Sequence, residues 1–163
     1  MSTTSYDYTG LINLYLTGST NSGETAYGRM SFKGDTLYSY ESKLFQRVGP
    51  NTYILDVATS SYSVTTAKHT SRILRSMPSD VTIYHTYNDN PVWQNVAMYV
   101  VNIKFLIGQF KRARSTKSTK QKLVIKKYNE LQSYIEFVKL DKRTSAYRQF
   151  KQLFAIMFEA KCL

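Results

Sequence analysis

Basic side chains gather in one short stretch of the chain, between Lys111 and Lys127. Arginine binds phosphate through paired hydrogen bonds, whereas lysine acts as a mobile point charge. The stretch also contains serine and threonine, whose hydroxyls can donate further hydrogen bonds to a bound anion. The sequence therefore predicts an anion-binding surface formed by Lys111, Arg112, Arg114, Lys117, Lys120, Lys122, Lys126 and Lys127.

The charge of the chain is divided unevenly between its two halves. Residues 1–90 hold seven Lys/Arg and seven Asp/Glu residues, whereas residues 91–163 hold fifteen and four. Because like charges repel one another in a compact protein, such an excess is typical of proteins with an anionic partner. A solvated basic corner between two helices remains the alternative, since basic residues also favour helix C-termini.

A second basic group follows the first and could extend the same surface. An ordinary charged helix surface explains it equally well. The group comprises Lys142, Arg143, Arg148 and Lys151, with Lys139 and Tyr147 close by in the sequence.

The two histidines of the chain are His69 and His85. Neither has the spacing of a metal site, and no cofactor-binding loop is recognisable, so we expect no metal and no cofactor. His69, with Lys68 before it and Arg72 after it, could contact phosphate or serve a phosphate-processing enzyme. The simpler interpretation is that His69 is an ordinary surface or buried histidine. We therefore expect a protein without enzymatic activity.

The first half of the chain has the alternating pattern of strands. Turns around Gly34 and Pro50 separate apolar-polar segments, which predicts an antiparallel sheet. Residues 11–16 fit either a further strand or a helical turn, and the strand is the favoured interpretation. One short helix is predicted over about residues 65–77, with Thr65 or Thr66 as its N-cap.

The second half changes to helical spacing. Asn90 at an N-cap and Pro91 at the next position predict the start of a helix that ends near Arg112. A second helix is expected to start near Ser118 or Thr119, and a third is expected to have Thr144 or Ser145 as its N-cap. Apolar residues three and four positions apart give each helix one buried face.

These patterns predict an α+β protein. Residues 1–90 form a small antiparallel sheet with one short helix, and residues 91–163 form three basic C-terminal helices packed with the first part as one unit. The single cysteine, Cys162, fits a reducing compartment. Because the N-terminus lacks the pattern of a signal peptide, we expect a cytoplasmic protein.

Two segments of the first half, Thr36-Leu-Tyr-Ser-Tyr40 and Tyr62-Ser-Val-Thr-Thr-Ala-Lys-His69, resemble paired motifs of a family of small bacteriophage proteins. The similarity covers about residues 28–77, and the chain departs from the family pattern after Tyr40. The resemblance implies a viral accessory protein that works in the host bacterial cytoplasm. It makes the motif residues Tyr62, Thr65, Thr66, Lys68 and His69 worth testing.

The expected function is therefore non-enzymatic binding of nucleic acid or of a nucleoprotein complex. By analogy with other small viral proteins, the target could be a host defence complex such as a CRISPR effector, with a host protein as partner. One alternative is a protein-only module whose basic surface binds an acidic protein surface and which forms a homodimer through Phe154, Met157 and Phe158. Another is a nuclease that uses His69. No membrane partner is expected, since the helices lack an interfacial aromatic face.

Overall fold

The computed structural model describes residues 5–87 and 90–163 of the chain. Two compact units divide it, Met1–Asn88 and Asp89–Leu163. Asn88 and Asp89, next to the predicted helix start, lie outside the described residues. A sheet organises the first unit, and the second unit consists of helices.

Seven strands and three α-helices make up the described part of the first unit. The short 3-10 turn Ala26–Gly28 joins the second strand to the third. The strands are β1 (Ser5–Tyr6), β2 (Ser22–Thr25), β3 (Met30–Lys33), β4 (Thr36–Ser39), β5 (Ser42–Gly49), β6 (Thr52–Asp56) and β7 (Thr82–Thr86). The helices are α1 (Tyr8–Thr17), α2 (Val57–Ser61) and α3 (Val64–Ser76).

Strands follow one another across the sheet in chain order, from β1 to β7. The strands from β2 to β6 pair antiparallel, whereas β1 lies parallel to β2 and β6 lies parallel to β7. Parallel neighbours need a crossover connection, which α1 supplies at one edge and α2 with α3 at the other. The protein is α+β, but the predicted arrangement of an antiparallel sheet with one helix followed by three helices is wrong. The sheet is mixed, and helices are interspersed among its strands.

Helices α1 and α3 contribute to the main core of the sheet unit. The register places Leu37 of β4 opposite Phe32 of β3 on one side and Phe45 of β5 on the other. Alternation along each strand directs these residues to one face of the sheet. The core comprises Leu11, Ile12, Tyr15, Met30, Phe32, Leu37, Leu44, Phe45, Tyr53, Leu55 and Ile73.

The segment 11–16, interpreted as a strand, lies in α1, so that prediction is wrong. The Asp7 carboxylate accepts a hydrogen bond from the backbone N–H of Gly10 at 2.7 Å and caps the helix. Gly18 ends it in the left-handed conformation, at φ 67°. Capping at both ends and burial at helical spacing outweigh the strand preference of the sequence.

The second unit contains α4 (Val92–Arg112), α5 (Lys117–Phe137) and α6 (Ser145–Glu159) within its described residues. Pro91 rather than Asn90 is the N-cap of α4, whereas Thr144 caps α6 as predicted. Helix α4 packs against both other helices. Their buried faces include Val100, Ile103, Ile107, Val124, Leu131, Ile135, Phe150, Leu153 and Met157. None of the helices in the described ranges combines the length and hydrophobicity that a membrane crossing requires.

The N-cap of α3 is Ser63, so the prediction of a threonine cap is wrong. The Ser63 hydroxyl accepts a hydrogen bond from the backbone N–H of Thr66 at 3.1 Å. It also shares a hydrogen bond with the buried Thr66 hydroxyl at 3.0 Å. The first turn of α3 therefore depends on Ser63, one position before the helix begins.

Ser63→Ala is expected to lower the free energy of unfolding by about 1 kcal/mol, because it removes the cap. Urea denaturation followed by circular dichroism measures the change. Thr65→Ala is the matched control, since Thr65 lies in the same turn and is not the cap. A loss at Thr65 as large as that at Ser63 would contradict the assignment.

Candidate functional site

The hairpin of α4 and α5 brings basic residues to one end of the second unit. Helix α4 ends at Arg112 and α5 begins at Lys117, so the residues of the connecting turn lie at the same end as both helix termini. Lys111, Arg112, Arg114 and Lys117 are all exposed there. The sequence-predicted stretch thus has its first four members at one site.

The C-terminal end of α6 reaches the same end of the unit. The side-chain amide of Gln121 donates a hydrogen bond to the backbone carbonyl of Cys162 at 3.3 Å. Burial raises the pKa of the Cys162 thiol, while the nearby Lys111 and Lys117 act to lower it. This arrangement adds Lys161 to the group, which we name the basic tip: Lys111, Arg112, Arg114, Lys117, Lys120 and Lys161.

Two members of the basic tip also stabilise its structure. The Lys120 ammonium donates a hydrogen bond to the side-chain carbonyl of Gln109 at 2.8 Å, joining α5 to α4. The Lys117 ammonium lies 5.3 Å from the centre of the buried Phe110 ring. This distance is within the range of a cation–π contact. Both contacts hold the turn of the hairpin while Lys117 stays exposed.

The other members of the tip have no acidic partner within residues 5–87 and 90–163. Among the residues that the structure describes, no carboxylate forms an ion pair with Lys111, Arg112, Arg114 or Lys161. Thr116 gives the N-terminus of α5 no side-chain cap, so the partial positive charge of that helix end adds to the potential. The tip is therefore a concentrated and uncompensated positive surface.

The remaining residues of the predicted stretch differ in exposure: two are exposed and one is partly buried. Lys122 and Lys126 are exposed on α5, four residues apart and so on one side of the helix. Lys127 instead donates to the Glu130 carboxylate at 2.6 Å, and the Tyr99 hydroxyl donates to the same group at 2.7 Å. Lys127 thus contributes to packing between α5 and α4.

The second basic group lies at the opposite end of α5. That helix has 21 residues, which separates its ends by about 30 Å. Of the two interpretations of this group, a separate charged helix surface therefore fits its position better than an extension of the first surface. Arg143 pairs with Asp141 at 3.2 Å and lowers the pKa of that carboxyl. Arg148 is exposed on α6, while Lys142 and Lys151 line a groove between α5 and α6.

The two motif segments of the first unit meet in the interior. Ser39, at the end of β4, shares hydrogen bonds with Thr66 at 3.3 Å and with the imidazole Nδ1 of His69 at 2.9 Å. The rings of Tyr8 and Tyr40 lie 5.2 Å and 6.2 Å from that of His69. Ser39, Thr66 and His69 are all buried. The paired motifs therefore encode a polar contact between the sheet and α3.

The outer side of α3 carries the exposed part of the motif. Lys68, Arg72 and Arg75 follow one another at helical spacing and line a shallow hollow of about 320 Å³. The Arg72 guanidinium lies 4.5 Å from the centre of the Tyr8 ring. The motif residue Tyr62 is the C-cap of α2, with 87% of its surface exposed. Arg75 is an addition that the i, i+4, i+7 spacing of basic residues could have indicated.

Burial of His69 removes the basis for a nuclease that uses it as a base. A phosphate would have to displace Tyr8, Ser39 or Tyr40 to reach the imidazole. In the described ranges, 5–87 and 90–163, no three His, Cys, Asp or Glu side chains come close enough to hold a metal ion. The interior network is thus better explained by stability than by catalysis.

Comparisons with protein-family models, with curated proteins and with solved structures find no match to this chain. The function must therefore be inferred from the chemistry of its own surfaces.

Protonation of His69 is expected to destabilise the first unit. Burial lowers the pKa of this histidine, and the nearby Arg72 and Arg29 lower it further. The unfolded chain, with a histidine pKa of about 6.5, then takes up a proton before the folded protein does. Stability should be full above about pH 6.5 and fall as the pH drops below it.

Urea denaturation between pH 7.5 and pH 5 measures this loss. His69→Gln should flatten the dependence on pH, whereas His85→Gln, which changes the other histidine, should retain it. An unchanged dependence in the His69 variant would show that other groups cause it.

Proposed function

We propose that the protein binds nucleic acid, free or within a nucleoprotein complex, through the basic tip. The observation that carries this proposal is the exposure of Lys111, Arg112 and Arg114 at one end of a helical hairpin, without an acidic partner among the described residues. Lys117, Lys120 and Lys161 add to the same potential. Arginine can bind a phosphate through two hydrogen bonds, and the flexible lysine side chains add positive charge along the nucleic-acid backbone.

A polyanion fits the tip better than a single small anion does. An exposed ion pair contributes only about 0 to 1 kcal/mol, so one phosphate held by one or two side chains would bind weakly. A nucleic acid presents many phosphates at once, and each contact releases condensed counterions. Several weak contacts then add to a useful affinity that falls steeply with salt.

The resemblance over residues 28–77 supports a more specific proposal. A bacteriophage accessory protein in the bacterial cytoplasm would meet host nucleoprotein complexes, and a defence complex such as a CRISPR effector offers an exposed polyanion with a protein partner beside it. The basic tip would then cover the nucleic acid of that complex, or compete for it with the protein that holds it. Co-purification from bacterial cells, with and without nuclease digestion, tests whether nucleic acid holds the partner.

The protein-only alternative depends on the exposed rings of α6. Phe154 and Phe158 are 53% and 69% exposed, but Met157, predicted to join them in a homodimer, is fully buried. Binding to a protein through these rings would depend little on salt. A titration at two salt concentrations therefore distinguishes the two functions.

The double variant Arg112→Gln/Arg114→Gln is expected to bind oligonucleotides more weakly, by the same factor for unrelated sequences. Loss of two phosphate contacts should reduce the slope of log K against log salt by about 2 for duplex DNA. Fluorescence anisotropy at several salt concentrations measures both quantities.

The matched control is Arg143→Gln/Arg148→Gln, which removes the same charge at the far end of α5. This control should keep nearly the full salt slope. Equal losses in the two double variants would mean that net charge, and not the tip, governs binding.

A further inference from the structure

An aromatic groove runs between α5 and α6, away from the basic tip. The groove encloses about 380 Å³, a volume within the range of pockets that hold small organic ligands. Its walls come from both helices and from the segment that joins them. They include Tyr128, Gln132, Glu136, Tyr147, Phe150 and Lys151.

Aromatic rings line this groove and continue along α6. Tyr128 of α5 stacks on Phe150 of α6 with ring centres 5.4 Å apart, and Phe154 lies 6.5 Å from the same tyrosine. Phe158 follows Phe154 by four residues and so lies one turn further on the same side of the helix. Because Phe154 and Phe158 are more than half exposed, their faces are accessible to a flat ligand.

Positive charge lies at both ends of this aromatic row. Lys139, Lys142 and Lys151 line the end near the α5–α6 connection, and the end of α6 leads to the basic tip. The Lys151 ammonium lies 5.9 Å from the centre of the Tyr147 ring. Glu136, a carboxylate in the wall, accepts a hydrogen bond from Gln132 at 3.4 Å. The groove thus combines ring faces with an excess of cations.

We propose that single-stranded nucleic acid binds along the groove between α5 and α6 and the adjoining exposed side of α6, with unpaired bases stacked on Phe154 and Phe158 and phosphates held by the flanking lysines. This inference rests on the proposed function and deepens it. Ring faces stack on bases that are free of a duplex, because paired bases expose only their edges in the grooves. Stacking and phosphate contacts require no 2′-hydroxyl, so DNA and RNA single strands should bind alike.

The test compares four labelled ligands by fluorescence anisotropy: a 12-nucleotide oligo-dT, the matching oligo-U, an abasic strand of equal length, and a DNA duplex. The wild-type protein should bind both single strands more tightly than the abasic strand. Phe154→Ala/Phe158→Ala should weaken single-strand binding by at least about tenfold, since stacking on one ring contributes roughly 5- to 140-fold per base. Duplex binding, which uses the tip, should change less than about twofold.

Phe105→Ala is the matched control, because Phe105 is 60% exposed on the side of α4 opposite its buried residues. It should leave all four affinities unchanged. A second variant, Lys142→Gln/Lys151→Gln, should reduce the salt dependence of single-strand binding while leaving the rings in place.

The outcomes separate the two proposals. Equal binding of the oligo-dT and abasic strands, or equal effects of the Phe154/Phe158 and Phe105 variants, would overturn the groove assignment and leave the tip intact. Tight binding of an acidic amphipathic peptide in the groove, without binding of single strands, would also overturn it. Failure of every nucleic acid to bind would remove the proposed function together with the groove.

Discussion

Burial of the apolar faces of α4, α5 and α6 holds six cations at one end of the second unit against their mutual repulsion. Two unit charges 4 Å apart in water repel by about 1 kcal/mol, and more distant exposed charges repel less. Each fully buried leucine, isoleucine or valine contributes roughly 1.5 to 3 kcal/mol. A few core residues such as Ile103, Leu131 and Leu153 therefore outweigh the repulsion. The hairpin can therefore maintain a positive tip, and a bound anion would reduce the repulsion among its cations.

Within the basic stretch, the structure separates cations that hold the fold from cations that remain available. Lys120 joins α5 to α4 through Gln109, and Lys127 pairs with Glu130 of its own helix, which accepts a hydrogen bond from Tyr99 of α4. Neutralising either of them would disturb the hairpin as well as any ligand. Within the part of the chain that the structure describes, Arg112 and Arg114 make no such contact, which makes them the cleaner probes of binding. The basic stretch thus contains two kinds of cation: those that contact other side chains of the fold, and those that remain available to a ligand.

Local signals in the sequence predicted much of the secondary structure. The glycine and proline turns between β3 and β6 were readable because turn chemistry is local, and the helix ending at Arg112 was readable from its spacing. The strand predicted over residues 11–16 is wrong because the Asp7 side chain caps a helix at this place. Parallel pairing at both sheet edges was not readable, since it depends on contacts between segments far apart in the chain.

Part of the candidate site could likewise be predicted from local signals in the sequence. Residue type and spacing identified the cations of the α4–α5 turn, but the arrival of Lys161 at the tip depends on how α6 packs. Of the three residues predicted to form a homodimer, Phe154 and Phe158 are exposed and Met157 is buried, because helical spacing alone does not show where α6 meets its neighbours. The motif around His69 is recognisable in the sequence, but the hydrogen bond between His69 and Ser39 is apparent only in the fold.

The central claim is that the basic tip is the place where a polyanion first makes contact. The most direct test is a titration of the ¹⁵N-labelled protein with a short oligonucleotide, followed by amide chemical shifts. We expect the largest shifts at low occupancy to fall on residues 111–120 and on Lys161. Shifts confined to α3 of the first unit, or no shifts at low salt, would contradict it.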